Sequence, residues 1–143
     1  MAFEQAAPGT VIKSATYNNN LANTAHLSDQ QKVLNKVMSG VLVTDTDGST
    51  VTFDMSSAGG NLHQVTLGGN RTLAVSGVAV GQAFLVTLIQ DGTGNRTVSW
   101  FAGISWQNGV TPVLTTTASK KDVFAFVCIA TDTYLGFVVG QNL

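Results

Sequence analysis

Charge is the scarcest property of this chain. Asp, Glu, Lys and Arg make up 10% of its 143 residues and the formal net charge is −1, where an ordinary soluble domain carries about 25% charged residues. The seven basic residues are scattered. Their densest grouping, Lys120-Lys121, is followed at once by Asp122, so the clustered phosphate contacts of a nucleic-acid binder are missing. Cysteine occurs once, at Cys128, which excludes an internal disulfide. With His26 and His63 as the only histidines, a zinc site lacks ligands, and no cofactor is expected. There is no apolar run of about 18 residues, so no helical membrane span is expected. The opening Met1-Ala2-Phe3-Glu4-Gln5 lacks the basic start and apolar stretch of a secretory signal, so synthesis in a cytoplasm is expected.

What replaces charge is Thr, Ser, Asn, Gln and Gly, beside 44% hydrophobic residues. That is not a disordered composition, which is rich in charge and poor in apolar groups. A chain of this length suits one domain and can bury a core without disulfides or metal. A surface with so little charge has weak colloidal repulsion, which points to burial of much of that surface in an assembly.

The chain divides near Gly40. Residues 1–40 read as an N-terminal arm and short helix. Pro8-Gly9 is turn chemistry, and Thr16 to Ala25 has helical spacing of Tyr17, Leu21 and Ala25, weakened by Asn18-Asn19-Asn20. Ser28-Asp29-Gln30-Gln31 fits a capping box, Val33, Leu34, Val37 and Met38 form one apolar stripe, and Gly40 supplies the stop. A helix of about eleven residues is marginal alone, so this stripe is expected to pack on a β-domain or on a copy of itself.

Residues 41–143 read as a β-domain. Val41–Thr44 and Thr50–Asp54 are expected to form a hairpin through Asp45-Thr46-Asp47-Gly48. Further strands are expected at Leu62–Leu67, Arg71–Val75, Ala83–Gln90, Arg96–Trp100, Val123–Ala130 and Tyr134–Val139, the last two joined through Thr131-Asp132-Thr133. About eight short strands with frequent turns predict a mainly β fold, an antiparallel β-sandwich or jelly roll preceded by a short helical N-terminal arm.

No motif assembles a nucleophile, a metal or an acid–base pair, so an enzyme is not expected. His63 is expected on the face opposite its apolar neighbours, as a surface or interface histidine. Asp45-Thr46-Asp47-Gly48 resembles the start of a calcium loop, but the twelfth position is Ser56 rather than glutamate, and a turn is the better reading. Gly68-Gly69-Asn70 and Gly92-Thr93-Gly94-Asn95 lack the Lys-Ser/Thr and the helix of a phosphate loop. Trp100, Phe101 and Trp106, with Tyr134 nearby, are read as core or subunit-interface aromatics; an exposed platform for sugar rings is the alternative. Cys128, within Phe124-Ala125-Phe126-Val127-Cys128-Ile129, is expected to be a buried thiol.

Two segments resemble bacteriophage virion proteins. Gly9-Thr10-Val11-Ile12-Lys13-Ser14-Ala15-Thr16-Tyr17-Asn18-Asn19-Asn20-Leu21 is similar to the element that opens many fibre-like phage proteins. The second segment runs from about Gly68 to Gly136. It carries Gly69-Asn70-Arg71-Thr72-Leu73, Gly81-Gln82, Gln90-Asp91, Arg96-Thr97-Val98 with Trp100, Trp106, Pro112-Val113-Leu114-Thr115 and Asp122-Val123. It resembles a small β-domain of tail fibres, head fibres and capsid-decorating proteins. The resemblance implies a homotrimer on the virion surface, with the N-terminus holding the particle. An arm plus one domain suits a capsid decoration protein or short head fibre, whose partner is the major capsid protein or another virion protein. Phe3, Val11, Ile12, Tyr17 and Leu21 are then the expected attachment anchors, and Val33, Leu34, Val37 and Met38 the subunit interface. The alternative is a tail-fibre or baseplate adhesin that binds a host-surface glycan through Trp100, Trp106 and Tyr134. The resemblance carries over no catalytic residue.

Overall fold

A computed structural model describes residues 40–143. The expected arm, its helix and the residues Phe3, Val11, Ile12, Tyr17, Leu21, Val33, Leu34, Val37 and Met38 lie outside the described part.

Among the described residues the fold is mainly β. Nine strands run in chain order as β1 (Leu42–Thr44), β2 (Thr50–Asp54), β3 (Leu62–Leu67), β4 (Arg71–Ser76), β5 (Ala83–Gln90), β6 (Val98–Ser99), β7 (Ile104–Trp106), β8 (Lys121–Ala130) and β9 (Thr133–Gly140). They form a six-stranded sheet, β1-β3-β5-β8-β9-β7, and a three-stranded sheet, β2-β4-β6. From β1 to β6 the chain alternates between the two sheets. Each strand pairs in parallel with the next strand of its own sheet, one circuit later: Leu42 opposite Leu62 and Leu62 opposite Leu85, Thr50 opposite Thr72 and Thr72 opposite Ser99. The first six strands are therefore three rungs of a flattened coil. Parallel strands need a long crossover connection, usually a helix. Here a strand of the opposite sheet serves instead.

This pairing corrects the antiparallel expectation. Thr44 and Thr50 do not flank a hairpin: β1 hydrogen-bonds β3, and β2 hydrogen-bonds β4. Asp45 to Ser49 form an arch between sheets, as do Gly68 to Asn70 and Asp91 to Thr97. Antiparallel pairing is confined to β5 with β8 and β8 with β9. The β8–β9 hairpin turns where Thr131-Asp132-Thr133 places it, with Asp132 at φ 49°.

The core lies between the sheets. Alternation buries Val51 and Phe53 from β2, Val65 and Leu67 from β3, Leu73 from β4, Phe84, Val86 and Leu88 from β5, and Phe124, Phe126 and Cys128 from β8. Cys128 is the buried thiol its sequence context predicts, its Sγ directed at the Ala130 carbonyl at 3.2 Å. On β9, opposite Phe126, Gly136 has no room for a side chain. A Cβ there would stand 2.7 Å from both the Trp106 ring and Ile104 Cγ2, because β7 lays those two side chains over it.

Candidate functional site

Polar side chains secure the arches. Arg71, at the start of β4, donates to Asp47 through Nε at 2.8 Å and Nη2 at 2.6 Å, and so ties the first arch to the second. Arg96 closes the third arch the same way, donating to Asp91 Oδ2 at 3.1 and 2.7 Å. Within that arch the buried Gln90 amide pairs with the backbone of Arg96, donating to its carbonyl at 2.9 Å and accepting from its N–H at 2.8 Å. Asn70 accepts from Thr97 N–H at 3.0 Å, joining the second arch to the third. On the other side of the coil Gln82 does similar work. Its amide donates to the Met55 carbonyl at 2.7 Å and to Asn61 Oδ1 at 2.6 Å.

The Arg96 guanidinium, with the Gly94 and Thr93 N–H groups, lowers the Asp91 carboxyl from 3.8 to about 2. Asp47 is lowered too, chiefly by Arg71. Since these folded-state values lie below the unfolded ones, ionised Asp91 and Asp47 stabilise the fold above about pH 4, and that contribution fades as pH falls towards the folded values. The thermal midpoint is expected to drop between pH 4 and pH 2, and Asp91→Asn to flatten that drop, as differential scanning fluorimetry against pH will read.

His63 does not face outward. It is 1% exposed on the inner side of β3, beside Val65, with its ring edge-on to Phe53 at 5.6 Å between centroids. Its Nδ1 donates to Asp45 Oδ2 at 2.9 Å, and Nε2 lies 3.4 Å from the Gly60 carbonyl. Asp122 is also buried, at the start of β8. Its carboxylate accepts from Thr115 N–H at 2.6 Å and from Asn142 N–H at 3.0 Å, and so fastens the 112–116 segment and the C-terminal residues to the sheet. Neither role is signalled by the residues adjacent in sequence. Both serve as internal ties.

The expected aromatic residues do come together. Trp100 meets Trp106 at 5.0 Å and Phe124 at 4.7 Å between ring centroids. Tyr134 is buried against Phe84 and Phe101. Trp100 and Trp106 are half-buried, packed on the core. Along Trp106 runs an open cleft of about 300 Å³, with Gln107, Asn108, Pro112 and Val138 in its walls. A larger open depression of about 570 Å³ lies among Gly40, Val43, the 55–61 loop and Gln82. Among the described residues no three His, Cys, Asp or Glu side chains are grouped as metal ligands, and no helix is long and apolar enough to cross a membrane.

The outer faces of the two sheets differ sharply. Across the three-stranded sheet the outward residues are Thr50, Thr72 and Ser99 in one row, then Thr52 with Ala74 and Asp54 with Ser76. Across the six-stranded sheet one row reads Leu42, Leu62, Leu85, Ala125 and Phe137, and the next reads Ala83, Val127, Leu135 and Ser105, while towards the other end of the strands the rows turn mixed, with Thr44, Gln64, Thr87 and Val123, then Thr66, Ile89 and Lys121. Lys121 is the only charged residue among the outward positions of β3, β5, β8 and β9, and it stands at the end of its strand. No protein-family model matches the chain, and neither a curated protein nor a solved structure matches it significantly.

Proposed function

We propose that this protein is a non-enzymatic structural component of a bacteriophage particle, a homotrimeric capsid decoration protein of the head-fibre kind. Residues 1–40 hold the particle and residues 41–143 project from the virion surface. The observation that carries the reading is how the polar groups are used. Asp45, Asp47, Arg71 and Gln82 tie one part of the coil to another, Gln90, Asp91 and Arg96 close its third arch, and Asp122 fastens the later segments to the sheet, a use of polar groups that supports a body serving through its shape and surface. The phage resemblance of the 9–21 and 68–136 segments adds the setting.

Deletion of Met1 to Thr16 tests the division of labour. The truncated protein is expected to keep the far-ultraviolet spectrum and thermal midpoint of its β-domain and to lose co-sedimentation with assembled capsids. If it still decorates capsids at full occupancy, the β-domain is the attachment module and the assignment of ends is reversed.

A further inference from the structure

We infer that the apolar part of the outer face of the six-stranded sheet, the two rows that hold Leu42, Leu85, Phe137 and Leu135, is the surface through which copies of this chain meet. The inference rests on the reading of the protein as a self-assembling particle component, and it names the face that does the assembling.

Leu42, Leu85, Leu135 and Phe137 are between 36% and 54% exposed on that one face. Scattered exposed hydrophobics are ordinary, but a contiguous patch of them marks a contact surface. The opposite outer face of the same domain is Thr and Ser with Ala74 and Asp54 and carries no large apolar side chain, so the asymmetry is not a matter of general composition.

Three properties of the face select a copy of this chain as its occupant. The first is charge. The outward rows carry none until Lys121 at the margin, so a partner with a charged surface would leave its own ions desolvated and unpaired. The uncharged partner surface required is the one this chain itself presents. The second is relief. In the register Leu85–Ala125–Phe137, the small Ala125 sits directly between two large side chains. That makes a hollow flanked by a knob, and each copy can place its Phe137 in the hollow of the next, the head-to-tail contact that closes a ring of three. The third is size. Strands β1, β3, β5, β8 and β9 hold 3, 6, 8, 10 and 8 residues, which at about 4.8 Å between strands and about 3.3 Å per residue makes a backbone face of roughly 550 Å². Corrugated by its side chains, it approaches the about 800 Å² per partner of a stable protein interface.

The test uses the full chain in the absence of particles. Native mass spectrometry is expected to give the mass of more than one chain. Phe137→Lys is expected to reduce it to the mass of one chain with an unchanged circular dichroism spectrum, because the side chain points away from the core. In a second arm, Ala125→Cys and Phe137→Cys chains are prepared separately, mixed and mildly oxidised. They are expected to form a mixed disulfide, with buried Cys128 silent. A wild-type chain of single mass overturns the inference, as does a Phe137→Lys variant that keeps the wild-type mass. A monomer whose Phe137 is nevertheless shielded from chemical labelling also overturns it, and gives the face to residues 1–39. If Phe137→Lys fails to fold, the disulfide arm decides: a mixed dimer supports the inference and its absence overturns it. Capsid co-sedimentation separates this result from the functional reading. An intact oligomer that ignores capsids removes the virion assignment and leaves the face standing; a monomer that binds capsids does the reverse.

Discussion

Phe126→Ala is expected to remove about 3–5 kcal/mol of stability, the range for truncating a large buried aromatic. That is a large part of the about 5–15 kcal/mol that holds a domain of this size. Phe126 is fully buried on β8. Its ring lies 5.2 Å from Phe84, 5.1 Å from Phe101, 5.6 Å from Trp106 and 5.9 Å from Trp100, centroid to centroid. Those neighbours come from three separate segments, β5, residues 100–101 and β7, so collapse into the space would have to move several elements together. Urea unfolding followed by tryptophan fluorescence reads the loss directly, since both indoles stand in the cluster. Thr52→Ala, on the polar outer face of β2, serves as the control and should stay within about 0.5 kcal/mol. A loss below about 1 kcal/mol for Phe126→Ala would mean that the cluster is not the core of the domain.

Asp122→Ala is expected to cost about 2–3 kcal/mol by a different route. The carboxylate accepts from two backbone N–H groups, Thr115 and Asn142, and from the Gln141 amide at 3.3 Å. Removing an acceptor leaves its donors without a partner, at about 1–3 kcal/mol for each one that water cannot reach. Hydrogen exchange should locate the damage. The Thr115 and Asn142 amides are expected to exchange faster while those of β3 and β5 stay protected. Asp122→Asn keeps one acceptor oxygen and should fall between wild type and alanine. Uniform loss of protection across both sheets would show instead that Asp122 supports the whole domain.

The strands were legible in the sequence because apolar residues recur at every second position. Thr50–Asp54, Leu62–Leu67 and Ala83–Gln90 lie where that alternation puts them. Their partners were not legible. Asp45-Thr46-Asp47-Gly48 and Gly68-Gly69-Asn70 are turn residues that serve a hairpin or an arch equally well. What separates the two is whether the next strand bonds its neighbour in sequence or the strand one circuit away. The available signal was the recurrence of such turns at intervals of roughly one rung, with Leu42, Leu62 and Leu85 in step. His63 was misplaced for a related reason. Leu62 beside it is apolar, which suggested that the histidine faced water, but here the outward face is apolar as well and the contrast that alternation depends on disappears. The site was legible only in part. Trp100, Trp106 and Tyr134 do gather, as core packing, whereas the ties made by Gln82, Gln90 and Asp122 depend on contacts distant in sequence that no local pattern announces.

The coiled part of the fold also works as a ruler. Each circuit of the chain from β1 to β6 adds one strand to each sheet, and adjacent strands are about 4.8 Å apart. A rung touches little beyond the rungs above and below it, so its contribution is nearly independent of the total count. The β8–β9 hairpin bonds only β5 and β7 and leaves the β1 and β2 edges alone. Duplicating a middle rung would therefore lengthen the domain by one fixed step while preserving the hairpin end. By that means the length of such a domain can change in fixed steps, one copy of a short segment at a time.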